Sequence, residues 1–336
     1  MSSTLHRLIS VIGATGNQGG GVVDLLLEAT DYNVRAISSN PSSDKAEALL
    51  ERHSKCVDAK RFEVVEGNLN DRASLEKAIK GSYGVFASFS PTPSDGPTEE
   101  NPEVLQGKNL VDALKAIGIE HFVYSSLPSV AELTQGRLTE VFPFEAKHAV
   151  EKYARAQLQN STFVIPGSFF ANLDKPIWAK RRGDGVVAIT AAFSPQTKVG
   201  WIDEHFDMGT FVAAIFKKGP LVTAGKTYPI NSTPVTSSEL AEVYTRVTGE
   251  PAEADPIDLN FLHQMLKTYL GETFANALVG MMKFIDSNEP APYTYGPGYI
   301  EKDDSYEDLG VKASTPEEFF KRTGWRAPPA AAPAHA

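Results

Sequence analysis

Residues 8–28 read LISVIGATGNQGGGVVDLLLE, an apolar run followed by a glycine-rich turn and a helical pattern. The run Leu8–Ile12 predicts a buried strand, and the apolar spacing after the turn predicts a helix. In such a turn the first glycine permits the bend, the second lets the backbone approach a pyrophosphate, and the third lets the helix pack closely on the strand. The amide groups and dipole of the helix start then attract phosphate. The stretch therefore predicts a nucleotide-binding site formed by Gly13, Thr15, Gly16, Asn17, Gln18 and Gly19.

Short β-branched or aromatic runs alternate with helical patterns through residues 1–170. The further predicted strands are Asn33–Ile37, Phe62–Glu66, Tyr83–Ala87, His121–Tyr124 and Thr162–Ile165. The helices predicted between them are Ala46–Arg52, Arg72–Ile79, Glu100–Ala116 and Pro143–Leu158. Strands that alternate with helices in this way are typical of a parallel sheet. The expected fold class is α/β, with a doubly wound parallel sheet of the Rossmann type.

The pattern loosens after Pro166, where strand-like runs mix with helices. We expect residues 171–326 to form a smaller α/β substrate-binding region, interleaved with the Rossmann core and folded over the carboxyl edge of its sheet. One long helix is predicted over Phe261–Ile285. The last residues, 327–336, are almost all alanine and proline and are predicted to be a disordered tail. The strands predicted in this half are Val186–Thr190, Lys198–Ile202 and Thr227–Ile230.

The composition is typical of a soluble globular protein. Of the 336 residues 42% are hydrophobic, and 32 basic against 42 acidic side chains give a formal net charge of −10. Such a chain repels nucleic acid and anionic membranes unless it carries a basic patch, and no basic run is longer than Lys180–Arg182. The single cysteine, Cys56, excludes an internal disulfide and a cysteine-based zinc cluster. No apolar run is long enough to span a membrane or to form a signal peptide, so we expect a cytoplasmic protein.

The glycines are spaced G-x-x-G-x-x-G, which resembles the extended and atypical branches of the short-chain dehydrogenase superfamily. Further segments, in family order over residues 8–210, narrow the resemblance to the NmrA-like family, which is related to isoflavone-reductase-like proteins. The segments that carry it are Gly13–Gly19, Val34–Pro41, Gly67–Asp71, Gln106–Ala113, His121–Leu127, Phe144–His148, Pro166–Asn172 and Trp201–Asp203. The resemblance implies a nicotinamide dinucleotide cofactor, with either reductase activity or a regulatory role.

The end of the second strand should face the adenine ribose of such a cofactor. An acidic side chain there would bind the 2′-hydroxyl and repel a 2′-phosphate, whereas this sequence offers Ser38, Ser39 and Asn40. These side chains can donate to a phosphate with help from Lys45, which favours NADP(H) over NAD(H). They also suit an ordinary turn before Pro41. Further cofactor contacts are expected at the ends of the next two strands, from Asn68, Leu69, Ser88, Phe89 and Ser90.

A standard short-chain dehydrogenase uses Tyr-x-x-x-Lys, in which the Tyr is the general acid and the Lys lowers its pKa and holds the nicotinamide ribose. This sequence has Lys147, but Pro143 stands where the Tyr would be. The resemblance implies that Lys147 contacts the ribose, and the alternative is a Lys that pairs with Glu151 on its own helix. In isoflavone-reductase-like relatives a Lys at this position is the proposed general acid/base. We therefore expect Lys147, Tyr124 or a water molecule to supply the proton of the reaction.

The segment after the sixth strand resembles the loop that lies beneath the nicotinamide in the family. It is expected to provide cofactor contacts from Pro166, Gly167 and Phe169, with substrate contacts from Phe170, Asn172 and Trp201. Phe169 and Phe170 suit the core equally well. The segment Pro91–Pro102 is expected to be a mobile loop beside the ligand cleft. No metal site is expected at Asp203, Glu204, His205 and Asp207. If this segment is a strand, its side chains alternate between two faces, so these residues would not lie together.

Two functions of different classes are consistent with this sequence. The first is an NADP(H)-dependent oxidoreductase that passes hydride to a small apolar, aromatic or otherwise unsaturated metabolite, bound between the sheet edge and the C-terminal region. The second is an NAD(P)-binding redox sensor that regulates transcription through a protein partner without turnover, and it would allow a nuclear location. The missing Tyr supports the sensor, whereas the analogy with reductases favours the enzyme.

Overall fold

The computed structural model describes residues 6–94, 98–287 and 303–328. The strands of this part of the chain are β1 Leu8–Ile12, β2 Asn33–Ser38, β3 Phe62–Glu66, β4 Gly84–Ala87, β5 His121–Ser125, β6 Ser161–Pro166, β7 Ser168–Phe169, β8 Ala179–Arg181, β9 Val187–Ala191, β10 Trp201–Ile202, β11 Thr227–Ile230 and β12 Ala252–Pro256. The helices are α1 Asn17–Ala29, α2 Asp44–Arg52, α3 Ser54–Asp58, α4 Arg72–Ile79, α5 Pro102–Ile117, α6 Val130–Leu133, α7 Phe142–Gln157, α8 Phe206–Lys218, α9 Pro220–Thr223, α10 Ser237–Thr248, α11 Leu259–Leu270, α12 Glu272–Ser287, α13 Ser305–Leu309 and α14 Pro316–Thr323.

Seven strands form one parallel sheet in the order β3-β2-β1-β4-β5-β6-β11. Within it, Val11 of β1 lies opposite Ala36 of β2 on one side and Phe86 of β4 on the other. The strand order reverses between β1 and β4, and open sheets of this kind bind ligands at that switch point, beyond the carboxyl ends of the strands. The predicted doubly wound Rossmann fold is confirmed.

Helices cover both faces of the sheet, because strands of a parallel sheet are apolar on both sides. On one face α1 and α8 pack over β1, around Val22, Leu26 and Phe211. On the other face α4, α5 and α7 pack around a second core that includes Leu114 and Val150. The helices that follow β4 and β5 start at the carboxyl edge of the sheet and run back toward its amino edge. The first turns of α5 and α7 therefore lie at the same edge as the glycine-rich turn.

The C-terminal half contributes to two separate units. Strand β11 extends the main sheet next to β6, and α8 lies against α1, so both belong to the Rossmann core. Strands β8, β9 and β12 form a three-stranded sheet of their own, which packs with α10 and α14 around buried residues such as Tyr244 and Phe320. The predicted strand Lys198–Ile202 is shorter than expected: Trp201–Ile202 pairs in parallel with β7, and Val199 forms an isolated antiparallel bridge with Val235.

The predicted long helix Phe261–Ile285 is in fact two helices. Gly271, between α11 and α12, has φ of +84°, a conformation that favours glycine and ends a right-handed helix. Apolar periodicity continues on both sides of the break, so spacing alone did not reveal it. The expected helix from Glu100 likewise begins later, at Pro102, because the side chain of Asn101 caps the amide of Glu103.

The predicted disordered tail begins with two ordered residues. Ala327 is buried, and its amide donates to the Tyr244 hydroxyl at 3.4 Å, while the Pro328 carbonyl accepts from the Arg181 amide at 3.2 Å. Residues 329–336 lie outside the described part of the chain. In the predicted mobile loop Pro91–Pro102, residues 95–97 also lie outside it, and Thr98–Glu100 forms a 3-10 turn.

Candidate functional site

The glycine-rich turn lies at the carboxyl end of β1, beside the switch point of the sheet. Gly13 has φ of +80°, and a Cβ there would lie 2.5 Å from the carbonyl oxygen of Ser88 after β4. A Cβ at Gly19 would lie 2.2 Å from the Gly13 carbonyl oxygen, so neither position accepts a side chain. Helix α1 then begins at Asn17 with no side-chain cap at Gly16. The amide groups of its first turn are thus left to a ligand, and an anionic one is favoured.

The side chains at the start of α1 contact other elements of the protein. Asn17 Nδ2 donates to the buried Glu204 Oε1 at 3.0 Å, and the Ser125 hydroxyl donates to Gln18 Oε1 at 2.7 Å. Burial raises the pKa of the Glu204 carboxyl. These contacts hold the helix start between the end of β5 and the segment before α8. The phosphate contacts predicted for Asn17 and Gln18 are therefore expected from their backbone amides.

At the end of β2 the three candidate phosphate contacts have different environments. Ser38 Oγ accepts from the Asn40 amide at 3.1 Å, and Asn40 Oδ1 accepts from the Ser42 amide at 3.2 Å. Ser38 and Asn40 therefore form the turn that the sequence allowed as the alternative to phosphate binding. Ser39 and Lys45 are exposed beside it.

The other predicted contacts with the adenine and pyrophosphate lie along the same edge, with one exception. Asn68 Oδ1 accepts from the Asn70 amide at 2.9 Å, and the Leu69 carbonyl accepts from Asn109 Nδ2 at 3.0 Å. Ser88 is half-buried and Ser90 is exposed. Phe89, in contrast, is buried in the core beneath α5 and α7. Its ring contacts the protein interior, which does not favour the predicted cofactor contact.

Lys147 forms a buried ion pair that spacing did not predict. Its side chain is 7% exposed, and its Nζ donates at 2.6 Å to Oε1 of Glu103, whose side chain is 0% exposed. Burial raises the pKa of the Glu103 carboxyl, although the charge of Lys147 and its hydrogen bond oppose that rise. The alternative partner considered for Lys147 was Glu151, but Glu151 pairs with Arg155 at 2.7 Å.

Glu103 was not identified from the sequence as a site residue. An acidic residue in the first turn of a helix is common, since the helix dipole stabilises it there. One signal in the sequence could have pointed to it. Glu103 follows Asn101 and Pro102 at the start of the helix after β4, and that helix starts at the ligand-binding edge of the sheet. That signal does not reveal which basic side chain it meets.

Tyr124 lies in the core rather than in a cleft. Its side chain is 0% exposed, its ring stacks on Phe122 at 6.0 Å, and its hydroxyl has no hydrogen-bond partner among the described residues. Burial, with the nearby charges of Glu103 and Glu151, raises the pKa of Tyr124 well above its ordinary value. An enclosed hydroxyl that holds its proton so firmly is unsuited to donate it to a substrate, so the structure argues against the predicted catalytic role.

Lys147, Glu103, Glu151 and Tyr124 together form what we call the Lys147 cluster. Three of its buried oxygen atoms have no hydrogen-bond partner in the described part of the chain: Glu103 Oε2, Glu151 Oε2 and the Tyr124 hydroxyl. Most buried polar groups in proteins are paired, and the exceptions concentrate where water or a ligand binds. The cluster is therefore an incomplete polar site at the ligand-binding edge.

The segment after β6 divides into ligand-facing and core residues. Pro166 and Gly167 are buried at the end of the strand, and Phe169 is half-buried against the core around α1 and α8. Phe170 is fully buried, and its ring stacks on Phe319 at 4.1 Å. Phe170 also lines the cavity between the start of α1 and α14, so the predicted substrate contact at this residue stays a prediction. The two remaining candidates for substrate contacts are half-buried: Asn172 and Trp201.

A cavity of about 510 Å³ lies between the start of α1 and α14. Its polar wall includes Glu204 and Arg322, where Arg322 is paired with Asp203 at 2.7 Å. Its apolar wall includes Phe206 and Trp325. The cavity therefore borders the glycine-rich turn through Asn17 and has the mixed lining of a small-molecule site.

The acidic segment before α8 does not form one cluster. Asp203 pairs with Arg322, Glu204 accepts from Asn17, and Asp207 accepts from the Ser314 hydroxyl at 2.6 Å. His205 turns to Asp24 on α1. Each side chain thus ties the start of α8 to a different neighbour. Among residues 6–94, 98–287 and 303–328, no three His, Cys, Asp or Glu side chains are grouped to hold a metal ion.

A second polar cluster, the Asp24 cluster, lies on the opposite face of the sheet. Asp24 Oδ1 bonds to His53 Nε2 at 2.7 Å, Oδ2 bonds to His205 Nε2 at 2.8 Å, and Arg52 adds an ion pair at 3.1 Å. Burial opposes the shift, but these bonds hold the pKa of Asp24 well below its usual range. The bond to Asp24 also raises the pKa of His205.

A search for membrane-crossing helices in the described ranges finds none with the required length and apolarity.

Comparison with known proteins identifies close relatives over most of the chain. The sequence profile of the NmrA-like family matches residues 6–320. An NmrA-like family domain-containing oxidoreductase of Aspergillus hancockii is 33% identical over 270 residues, which cover 75% of this chain and 76% of that protein. The crystal structure of NmrA, a negative transcriptional regulator in complex with NAD, superposes with a TM-score of 0.75 at 23% identity over 95% of each chain. A triphenylmethane reductase of Citrobacter sp. complexed with NADP(H) superposes with a TM-score of 0.65 at 21% identity, over 94% of this chain and 99% of that one.

Proposed function

This chain belongs to the NmrA-like family, and on that basis we propose that it is an NADP(H)-dependent reductase of a small apolar, aromatic or otherwise unsaturated metabolite. The observation that carries the proposal is the glycine-rich turn with the uncapped start of α1 at the switch point of the sheet. Gly13 and Gly19 have no space for a side chain, so the turn stays tight and presents the amides at the start of α1 to a pyrophosphate. The bound cofactor would supply the hydride.

Each part of the site has a separate role in the proposal. The amides of Asn17, Gln18 and Gly19 bind the pyrophosphate, and Lys147 donates a hydrogen bond to the nicotinamide ribose. Exposed Ser39 and Lys45 contact a 2′-phosphate, which is the reason to prefer NADP(H) over NAD(H). The cavity of about 510 Å³, which Phe170 helps to line, holds the substrate.

The cofactor site is tested with a glycine variant that the fold tolerates. A Cβ at Gly16 would lie 3.4 Å from its nearest neighbour, which is ordinary contact, but the methyl group would project from the exposed turn toward the phosphates. Gly16→Ala should therefore fold normally and weaken NADPH binding about tenfold or more, measured by fluorescence titration. The matched control is Gly183→Ala, where an added Cβ meets no atom within 4 Å. Equal NADPH affinity of Gly16→Ala and wild type, or no binding to wild type, would contradict the proposal.

Turnover is tested separately from binding, because a second function shares the same cofactor site. The buried Tyr124 hydroxyl, with Pro143 in place of the usual Tyr, favours an NAD(P)-binding sensor that acts through a protein partner. A reductase should oxidise NADPH in the presence of some member of a quinone and enone panel, followed at 340 nm. Equal affinity for oxidised and reduced cofactors without NADPH consumption would instead support the sensor.

A further inference from the structure

We propose that Glu103 is the positioning residue of Lys147: it holds the Lys147 ammonium charged and in place, so that Lys147 serves as a fixed hydrogen-bond donor and not as the proton donor. This inference rests on the proposed function only for the identity of the group that Lys147 contacts. The pair itself is a feature of the protein without any ligand.

The position of the pair supports this role. Glu103 lies in the first turn of α5 and Lys147 in the second turn of α7, two helices that pack against each other at the ligand-binding edge. Their contact joins residues 44 apart in the chain at 2.6 Å. Because the Glu103 side chain is 0% exposed whereas that of Lys147 is 7% exposed, a ligand can approach Lys147 alone. Glu103 can therefore act on a ligand only through Lys147.

Stability alone is a poor explanation of this ion pair. Removing two charged groups from water costs several kcal/mol for each, and well-packed apolar residues in their place are often as stable or more so. One carboxylate oxygen, Glu103 Oε2, also has no hydrogen-bond partner among the described residues, which adds to the cost. A pair that is expensive to bury and incomplete in its bonding is typical of a functional site.

Lys147 also has more hydrogen-bond donors than the described residues provide acceptors for. An ammonium has three donors, and the described residues supply Lys147 with one acceptor, Glu103 Oε1. The other ionisable groups of the cluster are Tyr124 on β5 and Glu151 on α7, and Glu151 is bonded to Arg155. Glu103 is thus the group that fixes the direction of Lys147, and two donors remain for the hydroxyl groups of a ribose.

The pair has a consequence for the chemistry. If Lys147 gave up a proton, the buried Glu103 carboxylate would be left without its counterion, which is costly. The proton that completes the reduction then comes from water, which leaves hydroxide, and Lys147 remains an ammonium throughout. This differs from the general acid/base role that the resemblance to isoflavone-reductase-like proteins implied for Lys147.

The proposal is tested on the free protein by NMR with lysine labelled at the ε carbon. The Lys147 signal, assigned with Lys147→Met, is followed by relaxation at one pH in wild type and Glu103→Gln. We expect the order parameter of the Lys147 ε-methylene group to fall by about a quarter or more in Glu103→Gln, because the charged acceptor that fixes its direction is replaced by a neutral one. The matched control is Glu151→Gln, the same chemical change in a carboxylate that is 4% exposed, four residues away and bonded to Arg155. It should change the order parameter of Lys147 much less.

Equal order parameters in wild type and Glu103→Gln, or an equal fall in both Gln variants, would overturn the proposal. If Glu103→Gln does not fold, Glu103→Asp provides the same test: it keeps the charge but shortens the reach, so the order parameter of Lys147 should also fall. The second arm adds NADPH to wild type and to Glu103→Gln. A Lys147 signal that does not respond to bound NADPH would contradict the proposed function, while the order parameters of the free protein would still decide the role of Glu103.

Discussion

Asp24 and Glu103 bind basic side chains on opposite faces of the sheet. They differ in how many of their carboxylate oxygens have a hydrogen-bond partner. Asp24 on α1 uses both oxygens, one with His53 and the other with His205, and Arg52 adds charge. Glu103 on α5 uses one oxygen, and the other is buried without a partner among the described residues. Asp24 retains some contact with solvent at 15% side-chain exposure, whereas Glu103 has none.

The difference separates a cluster whose carboxylate is fully bonded from one whose carboxylate is not. The Asp24 cluster joins α1, the end of α2 and the segment before α8, and every strong bonding position of its carboxylate is filled. Filled hydrogen bonds contribute to stability, while an unfilled buried acceptor costs free energy. The Lys147 cluster carries that cost at the edge of the sheet where ligands bind. We therefore expect changes in the Asp24 cluster to affect stability but not NADPH binding, and changes in the Lys147 cluster to affect both.

The largest effect is expected when one partner of the Lys147–Glu103 pair is removed. Lys147→Met leaves a carboxylate buried without its counterion and should lower the free energy of unfolding by about 3–5 kcal/mol. Replacing both partners, in Lys147→Met with Glu103→Leu, should restore most of that loss. Urea unfolding of the two variants measures both values. A double variant no more stable than Lys147→Met would show that the pair is not coupled in this way.

A smaller effect is expected in the Asp24 cluster. Asp24→Ala removes the acceptor of His53 and His205 and should lower the free energy of unfolding by about 2 kcal/mol. The NADPH affinity of the folded variant should stay within about twofold of wild type, since the charge network lies on the other face from Lys147. Urea unfolding and fluorescence titration on the same sample measure both quantities. A large loss of NADPH affinity would erase the distinction between the two clusters.

The smallest effect concerns pH. Because the bond to Asp24 raises the pKa of His205 above its ordinary value of 6.5, the protonated side chain stabilises the fold fully below pH 6.5. That contribution is lost as the pH rises through the raised pKa. With 41% side-chain exposure and solvent screening, we expect wild type to lose about 0.5 kcal/mol more than His205→Gln over this range.

The control for the pH measurement is His263→Gln. His263 bonds to the neutral side chain of Asn276 at 2.7 Å, so this variant makes the same substitution without breaking a bond to a carboxylate. Parallel curves for wild type and His205→Gln from about pH 6 to about pH 9 would contradict the assignment of the Asp24 cluster.

The predictions that the structure confirms are those that depend on residues close together in the sequence. The turn from Gly13 to Gly19 depends on backbone conformation and close approach within a few residues, and both appear as predicted. The strands Leu8–Ile12 and Phe62–Glu66 have the predicted bounds, because alternating or continuous apolar runs define them locally. The break at Gly271 was missed because an apolar period can continue across a glycine.

The sequence by itself determined the order of strands and helices, the glycine-rich turn, the family, and the place of Pro143 four residues before Lys147. These are local patterns, set by side-chain period and backbone freedom. Only the tertiary structure decided that Lys147 meets Glu103, that Tyr124 is enclosed, and that Thr227–Ile230 joins the main sheet. The physical reason is that the partner of a charge depends on which helices pack together. Helix packing depends on many contacts between residues far apart in the chain. The spacing of residues along the sequence does not reveal these contacts.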